Sequence, residues 1–287
     1  DACNDEEMIS LVNNGAYHTL AMETIDLPTT IHGDGPAGFT CFMNQNQVNG
    51  TCQYVSEPVM ASTWNVELIE EMGDEGLMGD RATGQPYSSI YAPGANIHRS
   101  PFGGRCSEYF SEDPFITGMM SAYEVRGMQS KGVIPTVKHF AANEQETHRS
   151  INGDSSWLTE QALREIYLKG FEICIKESNP LCIMTSYNLV NGVWSHYHYE
   201  LVTDILRGEW GYQGLVITDW WMHPGASPEF PNITNDAYRI RAQVDVLMPG
   251  EIQERTLVAS LNSPDGVTKA EAQRCALNVI KFILKLK

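Results

Sequence analysis

The segment Gly214-Leu215-Val216-Ile217-Thr218-Asp219-Trp220-Trp221 constrains this chain most tightly. Leu215, Val216 and Ile217 follow one another without a polar break. That is the pattern of a strand buried on both faces, not of one alternating between core and water. Such strands belong to parallel sheets covered by helices. The run ends on a carboxylate, Asp219. The C-terminal end of a parallel strand is where α/β folds keep their reactive groups.

The rest of the chain repeats the theme. Apolar runs at Thr29–His32, Val59–Ala61, Ile90–Ala92, Ile134–His139, Cys182–Ser186, Gly214–Asp219 and Asp245–Met248 read as strands. Helical periodicity covers Glu67–Gly79, Asp113–Gln129 with Ser111 as its N-cap, Thr159–Glu177 and Glu200–Trp210. Within Thr159–Glu177, Glu165 and Lys169 stand i,i+4, and Leu163, Ile166 and Ile173 share the apolar stripe. The last helix opens on a capping box, Thr268 with Glu271, and carries Cys275, Ala276, Val279, Ile280 and Ile283 on one face. Strands alternating with helices mean a parallel sheet. A strand set of this size in 287 residues favours an α/β fold of the (β/α)8 TIM-barrel type, complete or with an irregular strand set, over an open doubly wound sheet. Residues 1–287 are expected to form one barrel domain, without internal repeat or linker. Asn44–Gln53 and Pro224–Asn235 read as long loops, the second directly after Asp219, where specificity would reside.

Composition narrows the function classes. A hydrophobic share of 42% against 19% charged residues fits a chain with a sizeable core. The net charge of −17 argues against nucleic acid and anionic membrane surfaces as partners. No apolar stretch is long enough to span a bilayer. The seven cysteines include no C-x-x-C, and Cys174, Cys182 and Cys275 sit in apolar elements, so buried free thiols of a reducing compartment are expected. Cys41 and Cys52 are the pair a loop would bring together. The sequons Asn49-Gly50-Thr51 and Asn232-Ile233-Thr234 are short enough to arise by chance. The polar start Asp1–Glu7 is no signal peptide, which makes a cytoplasmic location the expectation. His196-Tyr197-His198 has no carboxylate in ligand spacing, and Gly33–Gly38 lacks the G-x-x-x-x-G-K pattern. Neither a metal nor a cofactor is expected.

A carboxylate beside an indole suits a sugar: the ring offers a flat apolar face and the carboxylate meets the anomeric carbon. Six further segments carry polar residues in or beside strands. They are His32–Gly38, Pro93–Pro101, Gly103–Pro114, Val137–Glu144, Met184–Asn188 with Asn191-Gly192, and Met248–Gly250. Together with Thr218-Asp219-Trp220, and in this order over nearly the whole chain, they resemble the barrel domain of family 3 glycoside hydrolases, the β-glucosidase group. The resemblance implies a retaining β-glycosidase with Asp219 as nucleophile. It places Asp34, Arg105, Lys138 and His139 on the sugar hydroxyls, Tyr187 beside the nucleophile and Trp220 on the pocket wall. Arg99 and Glu108 read as supports of the loop around Arg105, and Glu144 and Glu146 as loop-ordering acids.

Retaining enzymes need a second carboxyl about 5–5.5 Å from the first, as acid/base. In two-domain family members this Glu usually comes from a separate α/β sandwich domain, the partner expected in the parent protein. The chain's end resembles the branch in which that domain precedes the barrel. The expected small-molecule partner is a β-glucoside or oligosaccharide. The alternatives are a carbohydrate-binding or catalytically incomplete barrel, and a β-N-acetylglucosaminidase. For the latter, the residues Ala141-Ala142-Asn143 and His148 fit the pattern poorly.

Overall fold

The computed structural model describes residues 3–39, 52–73, 87–149, 155–222, 237–250, 254–261, 263–264 and 266–286. Nine strands are present among them: β1 (His32–Asp34), β2 (Ser89–Tyr91), β3 (Ile134–Phe140), β4 (Ser155–Ser156), β5 (Cys182–Thr185), β6 (Leu189–Val190), β7 (Val193–Trp194), β8 (Leu215–Trp220) and β9 (Val246–Met248). The six strands β1, β2, β3, β5, β8 and β9 form the main sheet and alternate with helices along the chain. That is the order of an α/β fold of the (β/α)8 type, with six strands in this sheet among the described residues. Two compact units divide the chain. One takes Ile31–Thr147, Leu158–Ile183 and the last two residues; the other takes Asp1–Thr30, His148–Trp157 and Met184–Lys285.

In the first unit β1, β2 and β3 run parallel, with Asp34 opposite Tyr91 and Ile90 opposite Pro135. All seven residues of β3 are buried, so burial on both faces extends to Lys138 and His139. Phe39, Tyr87, Ile90, Ala92, Met128 and Val133 form one core cluster, and Met60, Ala61, Ile69, Phe110 and Met120 another. Helix Pro114–Ser130 packs on Lys169–Ser178, on Val66–Glu71 and on the short helix Glu57–Ala61.

In the second unit β8 pairs with β9 in parallel. Both strands are held at their starts by one buried ion pair. Arg207 donates to Asp245 Oδ2 at 2.8 Å and to the carbonyls of Gly214 and Gln243, and Asp245 Oδ2 also accepts from Val216 N at 2.9 Å. Asn278, on the last helix, donates to Asp245 Oδ1 at 3.0 Å. β6 and β7 form a hairpin whose turn residues, Asn191 and Gly192, have φ of 49° and 86°. Asn-Gly fits a turn that needs positive φ at both central residues.

The expected strands β2, β3, β5, β8 and β9 lie within two residues of their expected bounds at either end. Thr29–His32 shifts to His32–Asp34. Val59–Ala61 is not a strand but part of helix Glu57–Ala61: Pro58 sets the helical φ in its first turn after an extended Ser56, and a three-residue apolar run carries no period of its own. The cap of Pro114–Ser130 is Asp113, accepting from Phe115 N and Ile116 N, whereas Ser111 accepts from Asp113 N. The expected Thr159–Glu177 helix is interrupted by a π-helical stretch, Leu163–Tyr167, before Lys169–Ser178. The expected Glu67–Gly79 helix is seen as Val66–Glu71, and its residues from 74 on lie outside the described ones. Most of both long loops, Cys41 and the two sequon asparagines also lie outside them. The Thr268–Glu271 capping box forms as expected.

Gly118 and Gly170 let two helices of the first unit approach. A Cβ on Gly118 would stand 2.7 Å from Ile173 Cβ and 2.9 Å from Gly170 O, whereas one on Gly170 would meet nothing closer than 3.4 Å. Alanine in a helix gains up to about 1 kcal/mol over glycine, and overpacking costs about 1–3 kcal/mol. Gly118→Ala is therefore expected to lower the urea unfolding midpoint and Gly170→Ala to leave it level or raise it; the reverse ranking would contradict this packing.

Candidate active site

In the first unit the chain leaves β1 through Asp34-Gly35-Pro36. Asp34 Oδ1 accepts from Gly35 N at 2.8 Å, and Gly35 takes φ 107°, a conformation open to glycine. The turn opens a cavity of about 500 Å³, walled by Asp34, Glu57, Arg105, Glu108 and Lys138 among others. Lys138 Nζ, buried at the end of β3, reaches Asp34 Oδ1 at 3.0 Å and Glu108 Oε1 at 2.9 Å. Arg105 grips Glu108 with two parallel bonds, Nε to Oε2 at 2.6 Å and Nη2 to Oε1 at 2.7 Å. A Cβ at Gly94 would collide with the Glu108 carbonyl, so glycine there admits this loop.

The electrostatics follow from the pairing. Burial works against the charge of Glu108, but Lys138 and Arg105 outweigh it and hold the carboxyl at about 2. Burial also opposes the Lys138 ammonium, and Asp34 and Glu108 outweigh it, raising its pKa. Glu57 is different. Burial pushes it up to about 8, the Glu108 charge adds to this, and its own N–H and Lys138 offset only part. Two cations thus face two charged carboxylates and one neutral carboxyl.

His139, next to Lys138, is fixed on both sides. Its backbone N donates to Asn96 Oδ1 at 2.8 Å and its carbonyl accepts from Asn96 Nδ2 at 3.1 Å. Its Nδ1 lies 3.1 Å from the Tyr109 hydroxyl, which accepts from Asn143 Nδ2 at 3.0 Å. With Asn143 donating to the phenol oxygen, the arrangement favours Tyr109 as donor to Nδ1 and a proton on Nε2. Glu144 is buried beside this group, 3.4 Å from Asn96 Nδ2; burial lifts it to about 7, with Asn96, the Ile97 N–H and Arg99 offsetting in part. Glu146 accepts from Asn143 and lies 3.9 Å from Arg105.

In the second unit Asp219 lies near the end of β8, 7% exposed. Its Oδ1 accepts from Trp220 N at 2.7 Å, and its Oδ2 is 3.9 Å from Arg149 Nη1. The Arg149 guanidinium sits over the Tyr187 ring, 4.3 Å from its centroid. Tyr17 packs against Trp220 with ring centroids 4.9 Å apart. Thr218 Oγ1 donates to Asp219 O at 2.8 Å and accepts from Met248 N at 2.8 Å, which ties this strand end to β9.

The first unit thus brings together Asp34, Arg105 and Lys138, with His139 adjoining; the second brings together Asp219, Tyr187 and Trp220. Glu108, expected as a loop support, bridges both cations of the pocket. Glu57 and Arg149 were not foreseen: neither was given a role in the sequence, and Arg149 lies just beyond the Val137–Glu144 motif. His196 is buried and pushed down to about 3 by burial and by Arg239, so its imidazole is neutral. Cys174 and Cys275 are buried thiols with raised pKa. Among the described residues no group of three or more His, Cys, Asp or Glu is arranged to hold a metal, and no helix is long and apolar enough to cross a membrane.

Comparison with known proteins places these residues in context. The profile described as "Glycosyl hydrolase family 3 N terminal domain" matches residues 3–276. A β-glucosidase of Ruminococcus albus is 40% identical over 270 residues, which is 92% of this chain and 27% of that protein. An exo-α-(1→6)-L-arabinopyranosidase of Bifidobacterium longum is 36% identical over 98% of this chain and 36% of its own length. The crystal structure of a β-glucosidase from Kluyveromyces marxianus superposes with a TM-score of 0.89 at 34% identity, covering 99% of this chain and 32% of that one. The chain therefore spans about a third of the length of the relatives it matches.

Glu144 gives a test of the site's burial. Its ordinary pKa is 4.5, and the folded value is about 7. Between those values the folded protein holds a proton that the unfolded chain has lost, so stability falls as pH rises. The contribution is complete below the ordinary value and gone once pH has passed through the folded one. Gln at 144 keeps the acceptor for Asn96 and removes the titration. Glu144→Gln is expected to lose less stability than wild type in urea unfolding between about pH 5 and pH 7; identical pH profiles would overturn the assignment.

Proposed function

The chain belongs to glycosyl hydrolase family 3, and on that premise we propose that it is the barrel of a retaining β-glycosidase acting on terminal β-D-glucosyl residues. One observation carries the reading. Asp34, Lys138-His139 and Asp219 all fall at the C-terminal ends of main-sheet strands, the position α/β enzymes use for catalysis. In the proposed reaction the Asp219 carboxylate attacks the anomeric carbon as the glycosidic bond breaks, and the departing oxygen takes a proton. Water then hydrolyses the glycosyl-Asp219 ester, and two inversions leave the configuration retained. Asp34 accepts from sugar hydroxyls, while Arg105, Lys138 and an Nε2–H of His139 donate to them. Buried polar groups of this kind discriminate against sugars that lack the matching hydroxyl. Trp220 offers an apolar face to the ring.

We assign the general acid/base to an α/β sandwich domain elsewhere in the longer protein. The relatives' threefold greater length supports this, as does the locking of the pocket carboxylates by cations. A relative named as an exo-α-(1→6)-L-arabinopyranosidase stands at 36% identity, so family membership alone does not fix the terminal sugar.

The test uses a 2-fluoro-glucosyl fluoride, whose leaving group needs little protonation. Intact-mass spectrometry is expected to show one added sugar, mapping to the Asp219 peptide and absent from Asp219→Ala. A folded chain that takes no adduct would point to a carbohydrate-binding or incomplete barrel. Preferential trapping by the N-acetylated sugar would point to the glucosaminidase reading.

A further inference from the structure

Glu57 is an acidic wall residue of the Asp34–Lys138 cavity to which the sugar-binding scheme gives no role. It begins the helix Glu57–Ala61, its side chain is fully buried, and its carboxyl meets no side-chain hydrogen-bond partner among the described residues, only its own backbone N–H. Facing it are Lys138 at the end of β3, and Glu108 and Arg105 on the loop beyond β2; Asp34 lines the same cavity. Behind it, helix Pro114–Ser130 contributes Glu124, also fully buried and without a hydrogen-bond partner among the described residues. Burial raises the pKa of Glu124, and the Glu57 charge raises it further.

The counting of charges makes the consequence specific. Lys138 is already shared by Asp34 and Glu108, and Arg105 is held by Glu108 in two bonds. Among the described residues lining the cavity, Lys138 and Arg105 are the cations, and carboxylates already engage both. We infer that Glu57 is a positioning residue of the sugar pocket: as the neutral acid it leaves Lys138 to Asp34, and on ionising it competes for Lys138 and closes the pocket to sugar. It works through Lys138, because a side chain with no exposed surface does not touch the ligand. Ionisation releases its proton to solvent and puts a third negative charge beside one ammonium and one guanidinium. The inference rests on the reading of this cavity as the sugar-binding pocket.

The experiment is calorimetric titration of this chain with D-glucose across pH, with Glu57→Gln alongside. Binding that requires one protonated group weakens with each pH step above its pKa. For Glu57 at about 8, wild-type affinity is expected to fall about tenfold between pH 7 and pH 9. The Gln variant keeps a neutral side chain of the same shape, and its affinity is expected to be flat over that range. An equal alkaline loss in both proteins, or no loss in wild type, overturns the role of Glu57 while leaving the sugar site intact. A folded wild type that binds no glucose at any pH overturns the pocket reading as well. Should the variant not fold, infrared difference spectra of wild type serve instead. The carbonyl band of a protonated carboxyl is expected to disappear over the same pH interval as glucose affinity; its absence at neutral pH, or its loss elsewhere, overturns the inference.

Discussion

Everything in the first unit's pocket depends on burying the Lys138 ammonium. An isolated ammonium taken out of water costs several kcal/mol even after relaxation, so it must be met by carboxylates from its surroundings. Asp34 arrives from the end of β1 and Glu108 from the loop that follows β2. Glu108 would itself be costly to bury, and Arg105 balances it. A single buried cation thus ties together two strands that do not pair with each other and one long loop. Such a network is poor at adding stability and good at imposing one arrangement. For the sugar-binding role proposed for this pocket, one fixed arrangement is what reading a hydroxyl pattern needs.

Asp219 is held by other means. Its strand is anchored at the start by Arg207 and Asp245, far along the chain from the carboxylate, and at the end by the Thr218 hydroxyl bonded to the backbone of β9. Trp220 N occupies one carboxylate oxygen. Arg149 stands at 3.9 Å from the other, beyond hydrogen-bond distance, and is itself steadied by stacking on Tyr187. The backbone therefore fixes where the carboxylate is, while one oxygen keeps a charged neighbour without being locked to it. That division suits the nucleophilic role proposed for Asp219.

How far the sequence reveals this depends on the kind of force. Strands β3, β5 and β8 were legible because burial on both faces demands an uninterrupted apolar run, and the run stops where the polar site begins. Asp219 was legible for the same reason, standing at such a stop, whereas Asp34 and Lys138 were expected from the family resemblance. Glu57 was not. Ser56-Glu57-Pro58 reads as solvated turn chemistry, and only the tertiary setting buries the acid. Helix Pro114–Ser130 was expected within a residue of its bounds, on a weak apolar signal. Its buried face includes Thr117, Gly118, Ser121 and Glu124 with Met120, Val125 and Met128, so the apolar period is weak although the helix is central. The spacing of Glu124 with Ser121 and Met128 was visible, yet a lone acid there reads by default as surface. Arg149 carried no signal, because its partners Asp219 and Tyr187 are distant in sequence.

The same chemistry bears on where the catalytic proton comes from. A general acid must come within hydrogen-bond reach of the glycosidic oxygen with its proton still on at working pH. Glu108 fails the second condition: Lys138 and Arg105 hold it ionised at about 2. Asp34 is bound to Lys138 and to Gly35 N as an acceptor. Glu144 and Glu57 satisfy the second condition, with values of about 7 and 8, but fail the first. Both owe those raised values to burial, and the burial that keeps the proton on also keeps them from a ligand. Among these four carboxyls, protonation and access exclude each other. A group that combines them needs a partly exposed position above the sugar, which is where a second domain closing over strand ends would supply it.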